Sequence, residues 1–370
     1  MNIYTQNGIQ GVINASGRMT KLGVSTISDE VGETLVQAAQ NYDLIDELLE
    51  WAGLKIASYL NCEDVCVTSS ASAGMALSIA SLICKDNITR VRGFQESVDN
   101  ASKREVILLK GHNVDYGAPI DSMIHLGGGI VKEVGYANKS TAEDIIDAIS
   151  DKTLAIMFVK SHHCVQKNMV DVKTVIDIAR KYNVPCIVDA SAEEDLCKYN
   201  ALGADFVCYS GAKAISGPTS GFVVCRRHED ANNMRLQYKG IGRAMKIGKE
   251  NCMGLVKAIE IYQKNHGYVP NVNIDDLKAF AERVSTIEGL KASIIQDEAG
   301  RAIYRCKIDV DEKVYGINAK ELIKCFAKGN PGIYVREHLA NLGSIAIDPR
   351  PLKSTEELNE IYNTLLKIKK

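Results

Sequence analysis

A lysine surrounded by small residues is the first feature of this sequence that could carry out chemistry. Lys213 lies within residues 209–221, which read Tyr-Ser-Gly-Ala-Lys-Ala-Ile-Ser-Gly-Pro-Thr-Ser-Gly and begin at the end of an apolar segment. Small neighbours let a flat ligand approach the backbone closely, and burial lowers the pKa of a lysine so that its amine can form an imine. Ser210 could donate its hydroxyl to a phosphate. A glycine-rich surface turn would also fit this segment, so its interpretation depends on the residues that surround it.

An aspartate at the end of an earlier apolar segment strengthens that interpretation. Asp189 directly follows residues 184–188, upstream of Lys213. In pyridoxal-phosphate (PLP) enzymes, an aspartate pairs with the pyridinium nitrogen and keeps it protonated, so that the ring accepts electrons. The alternative is an aspartate that caps the next helix. With Lys213 on a neighbouring strand, Asp189 favours the cofactor role.

Two further strand ends carry groups that suit such a cofactor. Ser70, Ala71 and Ser72 begin a helix after a short strand, and the N–H groups at a helix start bind anions such as phosphate. His112 follows another strand, and its flat ring could stack on a pyridine ring. A serine-rich helix start and a single histidine are each weak evidence alone. The Walker and dinucleotide-binding glycine motifs do not occur, which argues against a nucleotide ligand.

A pair of histidines follows the strand that we predict over residues 154–159. His162 or His163 could orient the ring hydroxyl of the cofactor or donate a proton, and we assign His163 the catalytic role beside Lys213 and Asp189. Adjacent side chains point in different directions, so these two histidines are not expected to share a metal ion. We predict no metal site.

Composition and charge exclude several classes of protein. Of the 370 residues, 46% are hydrophobic and 24% are charged, and the net charge is −2. This balance gives no electrostatic footprint for nucleic acid or for an anionic membrane. We find neither an apolar stretch of about 18 residues that could span a membrane nor a signal peptide. The eleven scattered cysteines are typical of buried thiols in a reducing cytoplasm, where we expect the protein to act.

Short apolar segments alternate with helical patterns through most of the chain. We predict strands at residues 64–68, 105–110, 154–159, 185–188, 205–209 and 221–225, separated by helices such as 45–60, 72–84 and 172–182. Apolar strands that lack alternation predict an α/β fold whose mostly parallel sheet is covered on both faces. We divide the chain into an N-terminal arm at 1–44, a large cofactor-binding domain at 45–250 and a smaller α+β domain at 251–370. The candidate residues would then meet at the carboxyl edge of the sheet.

These residues in this order resemble fold-type I PLP enzymes and, within them, the selenocysteine synthase-like family. The segments that carry the resemblance span nearly the whole chain, at residues 12–17, 46–50, 67–75, 210–218, 242–246 and 347–352. The resemblance implies a seven-stranded, mostly parallel sheet with PLP bound to Lys213. It also implies a homodimer, or a larger homo-oligomer built from dimers.

The resemblance is strongest to the ammonia-lyase branch of the family, on residues 17–20 and 111–119. This branch removes water and ammonia from a 2-amino sugar-acid phosphate, D-glucosaminate 6-phosphate, giving 2-dehydro-3-deoxy-D-gluconate 6-phosphate. Such a substrate carries a carboxylate and a phosphate and therefore needs cationic partners. Arg243 and Lys246 match the basic pair of the family and Arg350 its late arginine, while Arg18 and Arg336 are further candidates.

Other functions stay open at this point. The chain could be another PLP-dependent lyase or transferase for a β-substituted amino acid, including one that transfers selenium. True selenocysteine synthases have an extra N-terminal domain for tRNA and an arginine in their early arm, where Val24 stands here, and both differences argue against a tRNA role. A nucleic-acid partner protein and a non-catalytic scaffold are disfavoured, the first by the near-neutral charge and the second by the complete set of candidate residues.

Overall fold

A computed structural model describes residues 2–161, 163–297 and 302–369. Within these residues the chain forms two compact units. The larger unit comprises Ile27–Tyr268, and the smaller one is built from the parts of the chain that precede and follow it.

The strands are short, as the apolar segments of the sequence indicate. They run Val12–Ala15 (β1), Asp64–Thr68 (β2), Glu105–Leu109 (β3), Ile130–Val134 (β4), Thr153–Val159 (β5), Cys186–Asp189 (β6), Phe206–Ser210 (β7), Gly221–Cys225 (β8), Leu290–Gln296 (β9), Tyr304–Val310 (β10), Gly332–Val335 (β11) and Ser344–Ile347 (β12).

The helices occupy the segments between the strands. They run Ile3–Gln6 (α1), Asp29–Ala39 (α2), Ile45–Leu60 (α3), Ala71–Cys84 (α4), Ile88–Arg92 (α5), Phe94–Asp99 (α6), Ile120–Leu126 (α7), Ala142–Ile146 (α8), Val172–Lys181 (α9), Lys198–Leu202 (α10), His228–Leu236 (α11), Lys249–Lys264 (α12), Ile274–Val284 (α13), Glu312–Tyr315 (α14), Ala319–Lys328 (α15) and Thr355–Ile368 (α16).

The larger unit contains a seven-stranded sheet in the order β2-β8-β7-β6-β5-β3-β4. The strands are parallel except β8, which runs antiparallel to β2 and β7. The predicted α/β fold and sheet are confirmed, and the six predicted strands of this sheet end within one residue of the observed ones. The sequence did not reveal β4, because this edge strand carries Lys132 and Glu133 and is mostly not buried.

Helices cover both faces of this sheet. In β2 the side chains of Val65 and Val67 join a core with α3, α9 and α12, whereas Cys66 faces a second core with α4, α7 and α11. This division follows from the alternation of side chains along a strand. Because both faces are buried, the strands contain apolar residues at consecutive positions, as expected for a parallel sheet.

The smaller unit is an α+β structure, as predicted. An antiparallel sheet in the order β12-β10-β9 and a parallel pair of β1 with β11 pack against α13, α15 and α16. In the antiparallel sheet, β10 is the central strand and pairs with both β9 and β12.

The unit boundaries differ from the predicted domain boundaries. The expected arm at residues 1–44 divides: β1 pairs with β11 in the smaller unit, while α2 packs on α12 in the larger unit. The boundary predicted at residue 250 falls inside α12, whose Leu255 and Ile259 are buried in the core of the larger unit. Burial of this helix places its whole length in that unit.

Two other findings concern the chain as a whole. All eleven cysteines lie in the described residues as free thiols, and eight of them are buried, as the sequence predicts. Among the described helices, none combines the length and apolarity that a membrane span requires.

Candidate active site

The carboxyl edge of the large sheet gathers the predicted residues. Thr68 ends β2 and Ser210 ends β7, and both pair with Gly221 at the start of the antiparallel strand β8. Asp189 ends β6, and Val159 pairs with it from the end of β5. Open α/β sheets bind ligands at this edge, because the loops that follow the parallel strands converge there.

Asp189 is a buried carboxylate held by one neighbour. It is 6% exposed. The backbone N–H of Ser191 donates to its Oδ1 at 3.0 Å, and the Ser191 hydroxyl donates to the same oxygen. Burial raises the pKa of Asp189, while the bonds from Ser191 and the charge of Lys213 oppose this rise. No described residue hydrogen-bonds Oδ2, so this oxygen is available to a cationic ligand.

Lys213 lies half-buried on a tight turn after β7. Its backbone N–H donates to the carbonyl oxygen of Ser210 at 3.4 Å, and its carbonyl oxygen accepts from the backbone N–H of Ser216 at 3.2 Å. Gly211 and Gly217 close this turn, with the Gly217 N–H donating to the Gly211 carbonyl at 2.8 Å. A Cβ on Gly211 would lie 2.2 Å from the Ser220 hydroxyl, which explains the glycine there. The small residues thus fix the backbone that carries the lysine.

The start of α4 carries Ser70, Ala71 and Ser72, where we predict an anion site. Ser70 caps the helix and accepts the Ala73 N–H at 3.0 Å on its side chain. The N–H groups of Ala71 and Ser72 precede the first intrahelical bonds and can face a phosphate. Gly221 permits this arrangement, because a Cβ there would lie 2.3 Å from the carbonyl carbon of Ser70.

The structure adds Tyr116, which the sequence prediction did not single out. Its hydroxyl lies 2.9 Å from the Ser72 hydroxyl, at the start of α4. Burial raises the pKa of Tyr116, with the Asp189 carboxylate adding to the rise and Ser72 opposing it. Tyr116 therefore lies near both the anion site and Asp189. The sequence does contain a signal for Tyr116. It is an aromatic residue with a polar hydroxyl, and it follows His112 closely after the end of β3.

The structure buries His112, the residue that we predict to stack on the cofactor ring. Its side chain is completely buried, and its ring meets Phe158 edge-on at 4.6 Å between centroids. Its Nδ1 accepts from the Val159 N–H at 3.3 Å, and burial lowers its pKa to about 4. Within the described residues, Nε2 has no hydrogen-bond partner. The Nδ1 bond links the ring to the end of β5, and stacking of His112 on the cofactor ring stays a prediction.

The loop after β5 carries the two histidines that the sequence singles out. The His163 side chain is exposed, and its backbone N–H donates to the Ser161 hydroxyl at 3.2 Å. His162 lies outside the described residues. The next residue, Cys164, is buried, and burial with the Asp189 charge raises its pKa to about 12. A thiol with that pKa stays protonated and does not act as a nucleophile near neutral pH.

The predicted basic pair of the larger unit is exposed. Arg243 lies in a short 3-10 helix, Ile241–Met245, and Lys246 directly follows it. Gly242 packs against the turn before it, where a Cβ would lie 2.8 Å from the Gln237 carbonyl oxygen. Both charged side chains are open to an anionic ligand.

The smaller unit buries a network of charges around Asp348. Arg305 donates to this carboxylate at 2.9 Å, and Arg350 donates through Nε at 3.0 Å and Nη2 at 2.8 Å. Arg305 also pairs with the buried Asp297 at 2.8 Å. Burial opposes ionisation of Asp348, but Arg350 and Arg305 hold its pKa well below the usual range.

Arg336 and Arg18 are the other two candidate arginines of the smaller unit. Arg336 is half-buried, and its Nε has no hydrogen-bond partner among the described residues. Burial lowers the pKa of Arg336, as do the charges of Arg305 and Arg350. Arg18 is half-buried as well.

The groups at the sheet edge fit PLP. The start of α4 offers N–H groups to a phosphate, Lys213 offers an amine to an aldehyde, and Oδ2 of Asp189 can accept from a ring nitrogen. The described residues contain no cluster of histidine, cysteine and acidic side chains that could hold a metal ion.

A half-buried lysine on a tight turn, a buried strand-end aspartate and a helix start, gathered at the carboxyl edge of a mostly parallel sheet, are features of fold-type I PLP-dependent enzymes. PLP is the cofactor of this chain, as predicted. The chain belongs to the L-seryl-tRNA selenium transferase family, which matches residues 12–314. The predicted family is thereby confirmed.

Several known proteins are similar along nearly the whole chain. D-glucosaminate-6-phosphate ammonia lyase of Salmonella typhimurium is 44% identical, covering 96% of this chain and 95% of that protein. A solved structure of D-glucosaminate-6-phosphate ammonia-lyase has a TM-score of 0.92 at 43% identity, covering 100% of this chain and 98% of the other. A 5'-C-glycyluridine monooxygenase-decarboxylase of Streptomyces is 36% identical, covering 96% and 89%.

Proposed function

We propose that this chain is an ammonia-lyase that acts on D-glucosaminate 6-phosphate. The observation that carries the proposal is the 44% identity to the Salmonella enzyme along 96% of the chain. The site agrees with it, because Lys213, Asp189 and the start of α4 supply the groups that a PLP-dependent elimination requires.

The chemistry divides between the cofactor and the chain. PLP, when bound, supplies an electron sink for the charge left as a substrate Cα loses its proton. Asp189 would keep the ring nitrogen protonated through Oδ2. Lys213 Nζ would take the proton from the substrate Cα and could deliver it to the departing hydroxyl. His163 is a second candidate proton donor.

Overall, the substrate loses one molecule of ammonia, because the water that leaves is replaced by the water used in hydrolysis. The hydroxyl on Cβ leaves as water, which gives an enamine between Cα and Cβ. The enamine tautomerises to an imine, and hydrolysis of the imine consumes one water and releases ammonia. The product is the 2-keto acid 2-dehydro-3-deoxy-D-gluconate 6-phosphate.

Arg243 and Lys246 are the proposed phosphate ligands. Both lie exposed on one short segment, so their charges can converge on a dianion without breaking an internal contact. Charge-assisted hydrogen bonds of this kind are stronger than neutral ones.

The proposed carboxylate ligands belong to the smaller unit. Arg350 already binds both oxygens of Asp348, whereas Arg336 has a buried Nε without a described partner. We therefore place Arg336 first as the carboxylate ligand, with Arg350 and Arg18 as alternatives.

A second candidate is a different PLP reaction on an amino acid with a substituent at Cβ. The observation that favours it is the 36% identity to the Streptomyces monooxygenase-decarboxylase. Selenium transfer belongs to the same alternative through the family match.

The assembly and location are also proposed. We expect a homodimer or a larger assembly of dimers in the cytoplasm. Exposed apolar side chains around the start of α3, namely Tyr42, Leu44, Ile45, Trp51 and Leu54, support an interface in this region. Light scattering on the purified protein measures the mass directly, and a monomer would contradict the proposal.

A substrate screen tests the proposed reaction. Purified protein with PLP is incubated with D-glucosaminate 6-phosphate, its unphosphorylated analogue and serine, and ammonia and 2-keto acid are measured. We expect equal amounts of both products from the phosphorylated sugar acid. Products from serine alone would favour the second candidate, and release of neither product from any sugar acid would reject the proposed function.

A further inference from the structure

Ser191 makes two contacts that link the acidic and the lysine-bearing parts of the site. Its hydroxyl and its backbone N–H both donate to Oδ1 of Asp189. Its carbonyl accepts the N–H of Ser210, at the end of the strand that leads to Lys213, at 3.3 Å. One residue is thus bonded to the ends of two neighbouring strands.

The two hydrogen bonds to Oδ1 restrict the orientation of the Asp189 carboxylate. With Oδ1 occupied twice, the carboxylate cannot rotate without losing a bond, and Oδ2 is left for a partner. Hydrogen bonds that donate to a carboxylate favour its ionised form. Burial acts in the opposite direction on the pKa of Asp189, so the bonds from Ser191 and the charge of Lys213 are needed to limit the rise.

We propose that Ser191 is a positioning residue that fixes the orientation of the Asp189 carboxylate, so that its Oδ2 can meet the ring nitrogen of the cofactor. This inference rests on the proposed role of Asp189. The hydroxyl is the part that can be removed, because an alanine at this position keeps the backbone N–H and the carbonyl. Other groups that interact with the Asp189 charge are Lys213, Tyr116, Cys164 and Cys208.

The first experiment uses the protein without cofactor, so that it does not depend on activity. Aspartate carboxyl carbons are labelled with ¹³C, the Asp189 signal is assigned with Asp189→Asn, and its titration is followed by NMR. In Ser191→Ala we expect the pKa of Asp189 to rise by about one unit, the size expected when a hydrogen bond to a charged group is lost. Ser191→Thr, which keeps a hydroxyl, should titrate like the unmodified protein. An unchanged titration in Ser191→Ala would overturn the proposal.

A second measurement follows the visible absorbance of bound PLP against pH. The pH at which this absorbance is half changed is the midpoint of the titration. Loss of positive charge on the ring should raise this midpoint pH in Ser191→Ala, and raise it further in Asp189→Asn. If Asp189→Asn shifts the midpoint and Ser191→Ala does not, the inference about Ser191 fails alone. If neither shifts it, the proposed role of Asp189 fails. Should Ser191→Ala not fold, Ser191→Cys takes its place, since a thiol is a weaker donor; an unchanged titration there also overturns the proposal.

Discussion

At the scale of single residues, the proposed chemistry depends on Lys213 and Asp189, and the charge of Lys213 acts on the Asp189 carboxylate. Lys213 lies on a backbone turn that tolerates little change, and Asp189 is buried at a strand end. Lys213 and Asp189 differ from the other lysines and aspartates of the chain in where the fold places them.

The first prediction concerns the lysine. Lys213→Ala should lose the yellow colour of the bound cofactor, because the imine cannot form. Borohydride should fix the cofactor to Lys213 in the unmodified protein, as peptide mapping can show. Lys160→Ala is the matched control, since Lys160 follows β5 at the same edge and hydrogen-bonds Gln166. Reduced cofactor on a lysine other than Lys213 would contradict the assignment.

The second prediction concerns the aspartate. Asp189→Asn should still bind PLP but lose most of its turnover, because a neutral amide does not hold the ring nitrogen protonated. Equilibrium titration with PLP and steady-state kinetics measure the two effects separately. Turnover near that of the unmodified enzyme would remove Asp189 from the mechanism.

The third prediction concerns substrate recognition by Arg243 and Lys246. Replacing either by alanine should reduce kcat/KM for the phosphorylated substrate about tenfold to a hundredfold, since a charge-assisted contact is worth roughly 1.5–3 kcal/mol. The unphosphorylated sugar acid should be affected much less. Arg336→Ala should reduce kcat/KM for both substrates alike, because both carry the carboxylate. Equal losses for both substrates in the Arg243 variant would reject the phosphate assignment.

At the scale of elements, the start of α4 is held in place by its contact with β8. Gly221 lies between the ends of β2 and β7, and the first turn of α4 rests directly on its Cα. The anion site therefore depends on a position that provides none of its hydrogen bonds.

The fourth prediction follows from this contact. Gly221→Ala should weaken PLP binding at least tenfold, because the new Cβ would lie 2.5 Å from the Ala71 nitrogen and 2.6 Å from the Ser70 oxygen. Such overpacking costs roughly 1–3 kcal/mol. In contrast, Gly32→Ala in α2 should be neutral or stabilising, because its Cβ would meet only Ile27, at 3.9 Å, and alanine favours helices. Titration with PLP measures the affinity of each variant, and equal affinities would contradict this prediction.

At the scale of the whole molecule, stability depends on charges buried in the smaller unit. Asp348 is completely buried between Arg305 and Arg350. Removing one partner of a buried pair leaves the other charges uncompensated, which is more costly than losing a surface pair.

The fifth prediction tests this network. Asp348→Asn should reduce the free energy of unfolding by about 3–5 kcal/mol at pH 7, as measured with urea. Asp275→Asn, which removes an exposed pair with Lys278, should cost less than about 1 kcal/mol. Equal costs in the two variants would contradict the proposed importance of the buried network.

The contribution of Asp348 to the free energy of unfolding should decrease in acid. The pKa of Asp348 is lowered in the folded protein, so its contribution is present above the unfolded value, about 3.9, and is lost as pH falls from there toward the folded value. Asp348→Asn should therefore show a smaller loss of stability in this acid range than the unmodified protein. An identical acid response would show that other carboxylates determine it.

The sequence by itself determined the α/β fold, six of the seven strands of the large sheet, the cofactor and the positions of Lys213 and Asp189. These follow from local signals, because short apolar segments and small-residue turns carry their information in neighbouring residues. The tertiary structure alone decided which unit holds α2 and the arm residues, since β1 pairs with β11 across most of the chain length. It also decided that the His112 ring is closed against Phe158 and that Tyr116 meets Ser72. Such contacts depend on how separate segments pack, and the spacing of residues along the chain does not encode them.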